Sequence, residues 1–214
     1  MMLEKSKTLL TEYIINNVKE NHMIILAGPS ASGKTATCLY LQEHYGIKKV
    51  VTHTTRSKRE GEEEGVDYHF VDDDTFNNMV KNDEFIEHIH YNGNQYGTSK
   101  KEVKLDKCCT LEFEGAKTYY SLHDKNIVIF YLYCDECTRR ERMLSRGDGK
   151  KNVEERIDND HKAFKLDDEI KKIFDFEIDT SKYSLEKTSQ IIVEKYYQIL
   201  KSRGIDTTTI NIKR

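Results

Sequence analysis

The segment Gly28-Pro-Ser-Ala-Ser-Gly-Lys-Thr35 has the residue types and the G-x-x-x-x-G-K-T spacing that hold a polyphosphate. Gly28 and Gly33 let the backbone wrap so that successive N–H groups point inward at an anion. Pro29, Ser30, Ala31 and Ser32 complete the loop, Lys34 reaches the outer phosphates, and the Thr35 hydroxyl suits a Mg²⁺ ion. Such a loop belongs between a strand and a helix. Residues 23–27 are an apolar run that reads as a buried strand, and residues 36–45 read as a helix stopped by Gly46. The helix N-terminus adds the positive end of its dipole to the cradle.

A held donor phosphate needs an acceptor, and a second group of residues has the chemistry to bind one. Arg56 and Arg59 lie three apart, after a short strand at residues 49–52, and guanidinium groups grip phosphate bidentately. Tyr68, in the alternating stretch at residues 66–70, could add a hydroxyl. Asn92-Gly93 is a two-residue hairpin signal. With that turn, Tyr91 pairs with Asn94, Ile89 with Tyr96 and Glu87 with Thr98, which puts Glu87, Tyr96 and Thr98 on one face. Glu87 follows apolar Phe85-Ile86, so its carboxylate has a partly dry setting that calls for donors. Guanine offers two side by side, N1–H and the 2-amino group, and adenine offers neither. A site built to pair such donors discriminates by about 10⁴–10⁵. The plainer alternative is a solvated strand residue.

Arg142 and Arg146 are four apart and share a helix face, which by itself fits a solvated surface as well as a phosphate contact. Cys134 and Cys137 have C-x-x-C spacing, but no second pair at zinc-site spacing accompanies them. Five cysteines fit a reducing compartment better than a disulfide framework, and structural roles are the plainer reading.

The elements that must position these groups alternate along the chain. Helical spacing is expected over residues 1–20, as a helix packed on the body or as a partner-binding arm. A small helix with an acidic start follows at 72–80, then a strand at 108–112, a helix at 115–123 and a strand at 127–133. A long helix over 136–146 is interrupted at 147–151 and resumes over 153–166, before a strand at 174–178 and a helix at 185–203. This rhythm predicts an α/β fold, a parallel sheet flanked by helices on both faces, with residues 53–98 as an insertion. A chain of 214 residues suffices for one domain. Its 34 Lys+Arg against 37 Asp+Glu give a net charge of −3, unlike a non-specific nucleic-acid binder. No run reaches the ~20 apolar residues of a membrane span, and no secretory signal is visible. A cytoplasmic enzyme with no nucleic-acid or membrane partner is therefore expected.

Together these motifs resemble the guanylate kinase family, over roughly residues 22–200. The matching segments are Gly28 to Lys34, Val51-Thr-His-Thr-Thr-Arg-Ser-Lys-Arg59, Gly65-Val-Asp-Tyr-His-Phe-Val71, Phe85-Ile-Glu87 and Gly93-Asn-Gln-Tyr-Gly-Thr98. The resemblance implies a phosphate-loop nucleoside monophosphate kinase fold that transfers the ATP γ-phosphoryl group to GMP (and dGMP). It implies Arg56, Arg59, Tyr68 and Tyr96 around the GMP phosphate, and Thr52, Glu87, Thr98 and Glu112 around the guanine. It also implies Lys34, Arg142, Arg146 and Arg156 as catalytic cations. Three parts follow from it: a core of residues 21–52, 99–142 and 157–203, a GMP-binding region over 53–98, and a mobile lid over 143–156. Residues 1–20 are then a helical extension and 204–214 a tail. The alternatives are a non-catalytic interaction module of the same fold and a kinase of a related phosphorylated small molecule. Intact Lys34 and Thr35 count against the module.

The chain departs from the family where Thr110-Leu-Glu112-Phe-Glu114-Gly115 stands for Asp-x-Asp-x-Gln-Gly, and where Ala31 replaces a usual glycine. Its lid is lysine-rich and one residue short. The implied reaction needs no general base, because a phosphate monoester's second pKa is about 6 and the accepting oxygen is already deprotonated at neutral pH. Positioning and charge neutralisation carry it, with lid closure excluding water.

Overall fold

Side chains alternate across a strand, so the unbroken apolar run Met23–Ala27 (β1) must be buried on both faces. The computed structural model describes residues 22–91, 93–103, 107–164, 168–208, 210 and 212, and places β1 in that setting. The helix expected over residues 1–20 and Asn92 of the hairpin turn lie outside the described residues. The further strands are β2 Lys48–Lys49, β3 Thr52–Thr54, β4 Tyr68–Phe70, β5 Phe85–Tyr91, β6 Asn94–Ser99, β7 Lys107–Leu111, β8 Ile127–Tyr133 and β9 Phe176–Asp179. The helices are α1 Lys34–Tyr45, α2 Asp73–Lys81, α3 Phe113–Tyr120, α4 Glu136–Ser145, α5 Lys150–Ala163, α6 Asp168–Lys171 and α7 Leu185–Ser202.

The core is a five-stranded parallel sheet in the order β2-β7-β1-β8-β9. Ile25 and Ala27 face one layer with Cys109, Ile129 and the α3 residues Ala116 and Tyr119. Ile24 and Leu26 face the other with Val128, Phe130, Leu41 of α1 and Ile192 of α7. In register, Ala27 lies beside Leu111 and Tyr131. The phosphate loop, Glu112 and the segment leading to α4 therefore leave the same carboxyl edge, where open α/β sheets bind ligands.

The single strand expected over residues 49–52 is two strands in two sheets. Val50 still donates its N–H to Cys108 O at 2.8 Å, beside the core. Polar Thr52 then starts β3, in a second, mixed sheet of order β4-β3-β6-β5. In that sheet β5 and β6 pair as expected: Tyr91 with Asn94, Ile89 with Tyr96, Glu87 with Thr98. A register irregularity between Phe85 and Glu87 adds a detail that alternation does not show. Helix α3 starts at Phe113 rather than residue 115, and α5 at Lys150 rather than 153. The N-cap of α2 is Asp72, which accepts from Thr75 N at 2.7 Å.

Gly97 sits in β6 beside the residues meant for the acceptor. A Cβ there would lie 2.8 Å from Phe85 Cδ1 and 3.1 Å from Phe76 Cζ, two rings stacked at 4.6 Å. Gly97→Ala is expected to destabilise the fold by roughly 1–3 kcal/mol through overpacking. A lower urea midpoint with unchanged slope would report it; an unchanged midpoint would refute the close packing.

Candidate active site

The phosphate loop takes the shape that its glycines permit. Gly28 has φ 151°, and a Cβ there would meet Leu132 O at 2.0 Å. Gly33 has φ 101°. Ala31 has φ 60°, so the position where the family usually carries glycine is left-handed here too, at a cost of roughly 1–2 kcal/mol for an L-residue. Neighbours hold it there. Ala31 packs on Met143, Val153 and Ile157 of α4 and α5, and its carbonyl accepts from Arg142 Nη1 at 3.1 Å. Thr180 Oγ1 donates to Ser32 O at 2.8 Å, just past β9.

A single cavity of about 310 Å³ joins this loop to the mixed sheet. Ser30 through Thr35 line it together with Arg142 and Arg146. Arg56, Arg59, Tyr68 and Tyr96 line it as well, with Thr52 and Glu87. Glu112 and Thr110, from the end of β7, complete the wall between the two groups of residues. Four of the expected residues are not part of the lining. Gly28 and Pro29 turn their carbonyls to Lys34 Nζ. Thr98 is fully buried and donates Oγ1 to Glu87 Oε1 at 2.5 Å. Arg156 stands back on half-buried ground, and its charge acts on Arg59 and Glu112.

Positive charge is concentrated where an anion is expected. Arg56 Nη2 pairs with Glu62 Oε1 at 2.7 Å, and its guanidinium lies 5.3 Å from the Tyr68 ring centroid. The Arg59 backbone N–H donates to the other oxygen of Glu62 at 2.8 Å. Arg59 Nη2 lies 3.5 Å from Asp148, which also pairs with Arg146 at 2.7 Å. Burial lowers the Arg59 pKa, and the nearby charges of Arg56 and Arg146 lower it further. Two carboxylates thus stand against a surplus of guanidinium groups, a site that a phosphate dianion would neutralise.

Two carboxylates of the lining, Glu87 and Glu112, are short of donors. Burial raises Glu87 from its ordinary 4.5 to about 7, against the opposing hydrogen bond from Thr98. Gly115 makes room for it, since a Cβ there would lie 3.1 Å from Glu87 Oε2. Glu112 Oε1 lies 3.3 Å from Lys34 Nζ, while its Oε2 is enclosed without a hydrogen-bond partner. Burial raises the Glu112 pKa, and Lys34 opposes that rise. Cys134 is buried and Cys137 exposed, and they have separate contacts, with Arg142 and Glu141.

Reasoning from the sequence missed Tyr91 and Ile89, which line the cavity from β5, and the buried pair Arg139–Asp160. A signal existed for the pair. Asp160 continues the apolar spacing of Val153 and Ile157, and Arg139 shares a helix face with Arg142 and Arg146.

A strand–loop–helix phosphate cradle sharing one cavity with an arginine pair and a buried carboxylate defines a nucleotide-binding phosphotransferase of the phosphate-loop class. Known proteins narrow this. A family profile described as guanylate kinase matches residues 20–198. A guanylate kinase of Mycoplasma genitalium is 30% identical over 187 residues, covering 84% of this chain and 73% of that protein. One from Fusobacterium nucleatum is 28% identical over 158 residues, covering 71% and 85%. The crystal structure of guanylate kinase from Anaplasma phagocytophilum superposes with a TM-score of 0.60 at 26% identity, covering 87% of this chain and 88% of that one. The chain belongs to the guanylate kinase family, the ATP:GMP phosphotransferases. Among the described residues, no helix is long and apolar enough to cross a membrane.

Proposed function

We propose that this cavity carries out the transfer with the following division of work. Ser30 to Thr35 cradle the ATP phosphates by backbone N–H groups, and Lys34, Arg142 and Arg146 offset charge on the transferring phosphoryl group. Arg156 reinforces that field once residues 143–156 close as a lid. Arg56, Arg59, Tyr68 and Tyr96 hold the GMP phosphate, exchanging Glu62 and Asp148 for a stronger anion. Thr52 and Glu87 meet the guanine edge, with Thr98 fixing the Glu87 carboxylate from behind. The accepting oxygen needs no base, so what the chain supplies is alignment, cations and exclusion of water. The same pocket admits dGMP, because no part of this scheme depends on the 2′-hydroxyl.

The residues fit a Mg²⁺ ion. Mg²⁺ takes hard oxygen donors, and the cavity offers the Thr35 hydroxyl on its wall and the unpartnered Glu112 Oε2. Held there with ATP, it would neutralise charge that develops on the phosphate groups. Thr110, where the family has an acid, leaves Glu112 as the carboxylate of this edge.

One observation carries the reading: the donor cradle, the arginine pair and the buried carboxylate line one cavity. An ADP-release assay comparing GMP, dGMP, AMP, CMP and UMP tests it. GMP and dGMP are expected to turn over, with AMP slower by at least about 10³-fold. Absence of GMP turnover, or equal turnover of AMP, would overturn it.

A further inference from the structure

Asp160 is 1% exposed on α5, and Arg139, from α4, is 5% exposed. Their ion pair is buried, and such a pair is tolerable only when the remaining polar positions are filled. Both ends are filled by one residue of the phosphate loop. Arg139 Nε donates to Ser30 O at 3.0 Å, and the Ser30 backbone N–H donates to Asp160 Oδ2 at 2.9 Å. The pair therefore fixes both backbone groups of Ser30, at the entrance to the cradle. The other oxygen, Oδ1, accepts from Tyr91 OH, which also lies 3.4 Å from Ser30 Oγ. Tyr91 ends β5, four residues from Glu87 and on the same strand face, and both line the cavity.

We infer that Tyr91 and Asp160 are positioning residues, a latch through which seating of the acceptor on β5 sets the phosphate loop. The inference rests on the acceptor site proposed above. The strand that presents Glu87 to the base also presents the Tyr91 hydroxyl to Asp160, and Asp160 holds Ser30. Arg139 and the Ser30 N–H both sit on Asp160 Oδ2, so Oδ1 depends on the Tyr91 hydroxyl, with Ser30 Oγ at the longer distance of 3.5 Å. That hydroxyl joins three parts of the chain: the mixed sheet, the α4–α5 pair and the cradle. Coupling of this kind is reciprocal: GMP tightens ATP binding and ATP tightens GMP binding by the same factor.

The test begins with GMP turnover by the native protein, whose absence would reject the proposed function and not the latch as such. Calorimetry then gives the affinity for a non-hydrolysable ATP analogue with and without saturating GMP, in the native protein and in Tyr91→Phe. GMP is expected to tighten analogue binding in the native protein by about tenfold, the scale of one hydrogen bond to a charged acceptor. In Tyr91→Phe the factor should fall close to one while the thermal midpoint drops modestly, because the buried Asp160 Oδ1 loses its nearest donor. A coupling factor retained in Tyr91→Phe, or no coupling in a native protein that does turn over GMP, would overturn the inference. So would a variant that loses thermal stability and both affinities together, which marks a merely structural hydroxyl.

Discussion

Glu87→Gln is expected to lower kcat/KM for GMP by about 10²–10⁴ and to leave ATP-analogue affinity within about threefold. The carboxylate is buried, held by Thr98 Oγ1 and pressed against Gly115, so it has one fixed direction in which to accept. Two donors of the guanine edge would complete it. The amide of Gln keeps one acceptor and replaces the other with an N–H that faces a donor, so one bond is lost and a clash of like dipoles appears. Equal loss of ATP and GMP affinity would contradict a base-reading role.

The same residue makes GMP binding depend on pH. Without GMP, burial holds the Glu87 carboxyl near 7, so the protonated form gains as pH falls below that value. Only the carboxylate accepts from both guanine donors, so GMP affinity should weaken by up to about tenfold per pH unit below 7. In Glu87→Gln only the GMP phosphate, with its pKa of about 6, should shape the profile. Stability moves the opposite way. Relative to the ordinary 4.5, the folded protein binds an extra proton between about pH 4.5 and 7, so this group's contribution declines as pH rises through that window. Glu87→Gln should therefore raise the thermal midpoint more at pH 8 than at pH 5. A midpoint gain independent of pH would argue that the carboxyl titrates normally.

Lys34→Met should lower kcat by about 10²–10³ while GMP affinity changes by less than about threefold. The ammonium is poised on the Gly28 and Pro29 carbonyls and beside Glu112, at the mouth of the cradle. Gly28 and Pro29 lie outside the GMP-binding set and Glu112 alone of these partners is in it, so removing the charge acts chiefly on the transferring phosphoryl group. Steady-state rates with calorimetric GMP affinity separate the two effects. A fall in GMP affinity as large as the fall in kcat would place Lys34 on the acceptor instead.

Much of the site was legible because its parts are local in sequence. The phosphate loop declares itself by spacing, since only glycine tolerates the backbone of Gly28 against Leu132 O. The hairpin register follows from Asn92-Gly93 and a side-chain period of two, which put Glu87 opposite Thr98, as the fold has it. Thr98 was harder to read. Alternation puts it on the face of Glu87, but its complete burial behind that carboxylate depends on α3, whose Gly115 closes the space.

The chain's local patterns were enough to specify a parallel sheet under helices, a polyphosphate cradle and an arginine-rich acceptor strip, because strand period, helix period and turn chemistry act within about ten residues. Folding alone settled where the chain leaves one sheet for another at Val50, that Glu112 faces Lys34, and that Arg139 and Asp160 bury their charges around Ser30. Those outcomes depend on elements far apart in sequence, Arg139 lying 109 positions and Asp160 130 positions along the chain from Ser30. A charged residue on an amphipathic helix is read as solvated until a partner is brought to it, and periodicity along one segment says nothing about what the rest of the chain delivers.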